Sequence, residues 1–72
     1  MTYDEMIETI ANYFGKTIAD IHVEEINIYD TNICEMCIRG YVRNHQNTAM
    51  NTHFSFSGFK NMEVLKEMTK KV

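Results

Sequence analysis

The sequence has few of the features that mark membrane, secreted or phosphate-binding proteins. Proline and tryptophan are absent, and glycine occurs only at positions 15, 40 and 58, which is too sparse for a glycine-rich phosphate loop. No apolar run approaches the roughly 20 residues that a membrane-spanning helix needs. Two cysteines are too few for a secreted disulfide scaffold, and the acidic N-terminus does not look like a signal peptide. We therefore expect a cytoplasmic protein with reduced thiols and no membrane partner.

The chain is long enough for one small hydrophobic core. Its 72 residues predict a single domain, residues 1–72, which would bury only about 60% of the surface that the unfolded chain exposes. Six methionines and four phenylalanines supply an adaptable core. A binding module, an inhibitor or one half of a homodimer is easier to build at this size than an enzyme with its own cleft. We therefore expect no enzymatic activity and no cofactor.

Apolar residues spaced three and four apart predict a helix at each end of the chain. The first helix should span residues 3–14 and end before Gly15, where a capping glycine belongs. Its apolar face comprises Met6, Ile7, Ile10, Ala11 and Phe14. The second helix should follow Gly58. Its apolar face comprises Phe59, Met62, Leu65, Met68 and Val72.

Between the helices, apolar residues alternate with polar ones in three segments, residues 23–29, 33–42 and 50–58, which predicts three half-buried strands. Met50, Phe54 and Phe56 should lie on the buried face of the last strand. The element order αβββα predicts an α+β fold, a three-stranded antiparallel meander flanked by an N-terminal and a C-terminal helix that both pack on its apolar face.

The strand register follows from which residues are apolar. Even-numbered residues are expected to be buried on the first two strands. The residue numbers of two directly opposed residues must therefore add up to an even number, and the loop between the strands must contain an odd number of residues. A three-residue loop, 30–32, satisfies this condition and places Asn27 opposite Glu35 and Glu25 opposite Cys37. The same parity argument places His53 near Arg39 across the next strand pair.

The two cysteines, Cys34 and Cys37, occur in a CxxC motif that predicts no metal site. A structural zinc site needs four converging ligands, and the sequence has no second pair and no histidines at ligand spacing. Residues three apart in a strand point to opposite faces. Cys34 should therefore face the core and Cys37 the other surface, as an ordinary surface or interface thiol. A small zinc or redox protein that uses both cysteines is the alternative.

Charge is distributed unevenly along the chain. Residues 1–35 carry eight acidic residues and one lysine, whereas residues 36–72 carry six basic and two acidic residues. If the two halves occupy different faces, this asymmetry predicts an acidic pole and a basic pole, either of which could contact a partner. The alternative is that the two halves neutralise each other across the sheet. The candidate acidic contact residues are Asp4, Glu5, Glu8, Asp20, Glu24 and Glu25.

If both helices cover one face of the sheet, the other face is open. Its candidate contact residues are Tyr29, Arg39, Tyr41, Arg43 and His53. Tyrosine and arginine are enriched in the energetic centres of protein interfaces, and single-stranded nucleic-acid sites use the same residue types. A solvated face without a role, a homodimer contact and a site for another partner all remain open.

The leading functional hypothesis is a small protein-binding module that acts stoichiometrically as an inhibitor or adaptor. One version is a phage or mobile-element protein that blocks a host nucleic-acid enzyme, with the acidic residues in place of DNA phosphates. In size, acidity and element order the chain resembles small αβββα anti-CRISPR proteins, a likeness of shape that involves no particular residues. A nucleic-acid-binding regulator is the alternative, although the net charge of −3 opposes phosphate binding.

Overall fold

The computed structural model describes residues 2–29 and 35–70. Helix α1 (Tyr3–Phe14) is followed by strands β1 (Ile21–Tyr29), β2 (Glu35–Val42) and β3 (Thr52–Phe59), and then by helix α2 (Met62–Met68). The strands pair antiparallel in the order β1-β2-β3. The predicted α+β fold with the order αβββα is therefore confirmed. None of the helices in the described ranges is long and apolar enough to cross a membrane.

Helix α1 begins and ends where the sequence predicts. The Thr2 hydroxyl accepts a hydrogen bond from the Glu5 amide at 3.1 Å, which caps the N-terminus. Gly15 adopts φ 67°, and the following Lys16 amide donates to the Ala11 carbonyl at 2.9 Å. Glycine can adopt this left-handed conformation because it has no Cβ to clash with the backbone, and Gly15 therefore ends the helix.

Both helices pack on the same side of the sheet, which we call the core face. The buried cluster contains Met6, Ile7 and Ile10 from α1 and Met62 and Leu65 from α2. The sheet contributes Ile38, Val42, Phe54 and Phe59. Burial of an amphipathic stripe from each helix against the sheet holds the two layers together.

The second helix begins later than predicted. Strand β3 continues through Phe59, and α2 starts at Met62, where the Asn61 side chain accepts a hydrogen bond from the Val64 amide at 3.0 Å. The prediction that Phe59 begins the helical apolar face is therefore wrong, as Phe59 is the buried last residue of β3. Met68 is exposed rather than buried, and Val72 lies outside the described residues.

The prediction that Met50 lies on the buried strand face is also wrong. Met50 ends a 3-10 turn, Thr48–Met50, and is 63% exposed. The turn forms because the Asn47 side chain accepts a hydrogen bond from the Ala49 amide at 3.1 Å. The hydrogen bond to the Asn47 side chain therefore favours a turn before β3, although apolar and polar residues alternate there as in a strand.

From Glu25 to Tyr29, the register of β1 with β2 keeps the predicted parity but is displaced by two residues. Asn27 lies opposite Cys37 and Glu25 opposite Arg39, so the predicted Asn27–Glu35 and Glu25–Cys37 pairs are wrong. A slip of two residues leaves every side chain on the same face, so the hydrophobic pattern alone could not choose between these registers. The predicted loop 30–32 lies outside the described residues.

The pairing of β2 with β3 shows the same type of displacement. His53 lies opposite Tyr41, and Arg39 lies opposite Ser55. His53 is therefore near Arg39, as predicted, but as a diagonal neighbour that lines the same cleft and not as its direct partner. Tyr41 therefore has a histidine on each side, His22 in β1 and His53 in β3.

A β-bulge interrupts β1 at Glu24, where the register shifts between Val23 and Glu25. Before the bulge, Val23 lies opposite Gly40, and after it Ile26 lies opposite Ile38. Val23 and Ile26 both pack against the core cluster. The bulge therefore changes the core-facing residues of β1 from odd to even numbers.

Candidate binding face of the sheet

The side of the sheet that points away from both helices is the candidate functional site, and we call it the outer face. Its side chains alternate with those of the core face along each strand. They come from His22, Glu25, Asn27, Cys37, Arg39, Tyr41, His53, Ser55 and Ser57. The register places them in rows that run across the three strands.

One row consists of three rings, from His22, Tyr41 and His53. The Tyr41 and His22 ring centroids are 4.7 Å apart with a 29° angle between the planes, and the Tyr41 and His53 centroids are 5.7 Å apart. Both histidines are exposed and Tyr41 is half-buried. The row therefore presents ring surfaces and polar ring atoms to solvent on a rigid, hydrogen-bonded support.

The next row carries opposite charges. Arg39 forms an ion pair with Glu25 across the strands, and the Asn27 amide donates to the same carboxylate at 2.7 Å. Both hydrogen bonds lower the pKa of Glu25, and the one from Asn27 has the larger effect. Because the Arg39 side chain is still 57% exposed, its guanidinium keeps donors available for a partner.

Cys37 lies on the outer side of the sheet, as predicted, but it is not a surface thiol. It is only 6% exposed, since it sits in the central strand between Asn27 and Ser57. Cys34 and its predicted core orientation lie outside the described residues. Within 2–29 and 35–70, no three His, Cys, Asp or Glu side chains converge as metal ligands. The zinc or redox alternative stays a prediction.

The loop that follows β2 closes one end of the outer face. The Arg43 amide donates to the Asp20 carbonyl at 2.8 Å, and His45 Nε2 lies 2.5 Å from Asp20 Oδ1. A cleft of about 350 Å³ is lined by Tyr41, Arg43, Asn44, His45 and Asn51. Exposed Arg43 therefore stands directly beside the ring row.

The Asp20–His45 contact predicts a dependence of stability on pH. Hydrogen bonds lower the pKa of Asp20 from 3.8 to about 2. The one from His45 has the largest effect, followed by those from the backbone amide and the hydroxyl of Thr17. An acid whose pKa is lower in the folded state stabilises the fold above its unfolded pKa and loses this effect as the pH falls through the folded value. The stability difference between wild type and Asp20→Asn should therefore shrink as the pH falls from 3.8 toward 2.

Urea unfolding of both proteins across this pH range measures the difference directly. Glu8→Gln removes one exposed carboxylate from α1 and controls for the change in net charge. A difference between wild type and Asp20→Asn that stays constant over the range would contradict the ion-pair account.

The structure spreads the predicted acidic residues over several elements. Asp4, Glu5 and Glu8 are exposed on α1, and Glu24 is exposed at the bulge of β1. Asp20 and Glu25 are each bound to a basic side chain. The proposal that these acids contact a partner stays a prediction. Within the described residues, the α1 acids and Glu24 are the members of the set that carry no ion pair.

The structure brings together Arg39, Tyr41 and His53 from the predicted sheet-face set, with Arg43 at the end of the row. Tyr29 lies in β1 opposite Glu35, and its side chain lies outside the described residues. Sequence reasoning missed His22, because the bulge at Glu24 changes the parity of β1. The adjacent Glu24 and Glu25, which break the alternation, were the available signal.

No protein-family model, curated protein or solved structure matches the chain. The outer face must therefore be interpreted from its own residues.

Proposed function

We propose that the chain is a small, stoichiometric protein-binding module, an inhibitor or adaptor, whose contact surface is the outer face. The observation that supports this most is the row of His22, Tyr41 and His53 on the side of the sheet that both helices leave open. A half-buried tyrosine supported by neighbouring rings loses little conformational entropy when a partner packs on it.

The chemistry around the row favours a protein partner. Tyr41 at the centre supplies apolar area and a hydroxyl, and Arg39 and Glu25 supply exposed groups of opposite charge. Protein interfaces combine an aromatic centre with a polar, solvent-accessible rim in this way. The net charge of −3 favours a partner with a basic surface, such as a host nucleic-acid enzyme.

Replacing Tyr41 by alanine should weaken binding of that partner by about 30-fold or more, as expected for a central interface tyrosine. A tagged chain first captures the partner from host lysate, and the affinity of the purified partner is then measured by calorimetry. Tyr3→Ala is the matched control, since Tyr3 is 53% exposed on α1, on the opposite side of the molecule from the outer face. It should bind like the wild type.

Two results would contradict the proposal. Equal affinity of Tyr41→Ala and wild type would remove the outer face as the contact surface. Loss of binding on replacement of Asp4, Glu5 and Glu8 by asparagine or glutamine, with Tyr41→Ala unaffected, would move the site to α1. Circular dichroism of each variant confirms that it is folded before affinities are compared.

Binding of single-stranded nucleic acid is a second candidate, favoured by the position of Arg43 beside the ring row. Rings that stack on bases next to a cation that contacts phosphate are the elements of such a site. This candidate predicts a gel shift with single-stranded oligonucleotides that weakens with salt and disappears in Arg43→Ala. No shift at low salt would reject it and leave the protein partner.

A further inference from the structure

The outer edge of β3 has features that suit pairing with another strand. In the part of the chain that the structure describes, β3 has β2 on one side and no strand on the other. An edge strand presents a row of backbone N–H and C=O groups that can hydrogen-bond to a further strand. The eight residues Thr52–Phe59 contain no proline and no Lys, Arg, Asp or Glu, which are the residues that normally block such pairing.

The other edge of the sheet is protected in the usual way. Strand β1 carries the adjacent acids Glu24 and Glu25 and is interrupted there by the bulge. Charge and local twist both oppose the addition of a strand along β1. The two edges of one small sheet therefore differ. Strand β1 is charged and interrupted near its middle, whereas β3 is uncharged and its register shift falls at Gly58, next to its last residue, so that residues 52–57 stay regular.

The side chains of β3 are self-complementary when the strand pairs antiparallel with a second copy of itself. Keeping the core faces of both copies on one side requires opposed residues of equal parity. With Ser55 opposite Ser55, each Phe54 faces the Phe56 of the other copy, and His53 faces Ser57. Aromatic pairs of this kind stabilise antiparallel strands.

The partial burial of Phe56 supports this register. Phe54 is buried in the core, whereas Phe56 is only half-buried at the strand edge, where the Tyr13 ring meets it edge-on at 5.8 Å. A second β3 would place the other copy's Phe54 beside Phe56 and extend the two core faces into one strip. Apolar surface that α1 leaves exposed would then be removed from water.

We propose that this chain forms a homodimer by antiparallel pairing of β3 with β3 about a two-fold axis at Ser55, which creates a continuous six-stranded sheet. The two outer faces then lie side by side, with two ring rows on one surface. This inference rests on the β3 edge and stands whether or not the outer face binds a protein partner.

Cysteine pairs test the register. Directly opposed residues in antiparallel strands have Cα atoms about 5 Å apart, which suits a disulfide. Ser55→Cys should therefore form an interchain disulfide under mild oxidation. Ser57→Cys is the matched control, since it is exposed on the same strand and face, but its copies would lie about 13 Å apart. Both variants are made in a Cys34→Ala, Cys37→Ser background, because Cys37 lies opposite Ser57 on β2 and would otherwise form an intrachain disulfide with the Ser57→Cys thiol.

Native mass spectrometry and sedimentation equilibrium of the unmodified chain test the assembly itself. We expect a reversible dimer, whose dissociation constant rises about tenfold in Ser55→Lys because like charges then face each other at the axis. Ala19→Lys adds the same charge at an exposed site in the 3-10 turn before β1 and should leave the dimer unchanged. A monomer at submillimolar concentration, or a dimer in which Ser55→Cys crosslinks no better than Ser57→Cys, would overturn the proposal.

Discussion

Replacing Phe59 by alanine is expected to lower the free energy of unfolding by about 3–5 kcal/mol, the usual cost of removing a buried phenylalanine. Phe59 has no exposed surface and belongs to the core cluster that joins both helices to the sheet. A domain of this length is stable by only about 4–11 kcal/mol. The variant should therefore melt at least about 12 °C below the wild type.

Met50→Ala is the matched comparison for this prediction. The sequence pattern placed Met50 on the buried face of the last strand, but the structure leaves it 63% exposed in a turn. Its replacement should change the free energy of unfolding by less than about 0.5 kcal/mol. Urea unfolding of both variants decides the matter, and a larger loss from Met50→Ala than from Phe59→Ala would contradict the observed end of β3.

The second large effect is expected from Gly40→Ala, which should cost about 3 kcal/mol although it adds a single methyl group. A Cβ at position 40 would collide with the carbonyl oxygen of His22 and lie 3.0 Å from the Cα of Val23. Both obstacles are backbone atoms of β1 beside the bulge, so no side chain can rotate to make room. Forcing extra atoms into a packed site usually costs about 1–3 kcal/mol, and more where relaxation is blocked.

Thermal unfolding and the near-ultraviolet circular dichroism spectrum of Gly40→Ala measure this effect. Ser55→Ala, on the neighbouring strand and exposed, is the control and should behave as the wild type. Because β1 must move away from β2 to admit the methyl group, the ring contact between His22 and Tyr41 should also be lost. A variant with unchanged stability would mean that β1 does not approach β2 so closely at Gly40.

The fold was predictable because its determinants are local. The caps Thr2 and Gly15, the helical spacing of Met6 and Ile10, and the alternation along β2 each indicate one structure, and each lies in a short stretch of sequence. The start of α2 was less predictable, because Phe59 fits the apolar pattern of both the strand and the helix. The Asn61 cap is what separates them.

The candidate site was only partly predictable, because it depends on register. Tyr41 and Arg39 were assigned to the open face by parity alone, which a shift of two residues does not change. Their direct partners, however, depend on that shift: His53 lies directly opposite Tyr41 and only diagonal to Arg39. His22 joins the row because the bulge at Glu24 reverses the alternation of β1, and bulges depend on pairing across strands that no single segment specifies.

The central claim is that the outer face is the surface that contacts a partner, and amide chemical shifts of the isotope-labelled chain test it most directly. During titration with the captured partner, we predict that the largest shift changes occur at His22, Arg39, Tyr41 and His53. The amides of Asp4, Glu5 and Glu8 on α1 should change little, because α1 packs on the core face. Changes concentrated on α1, with the signals of the ring row unmoved, would contradict the account.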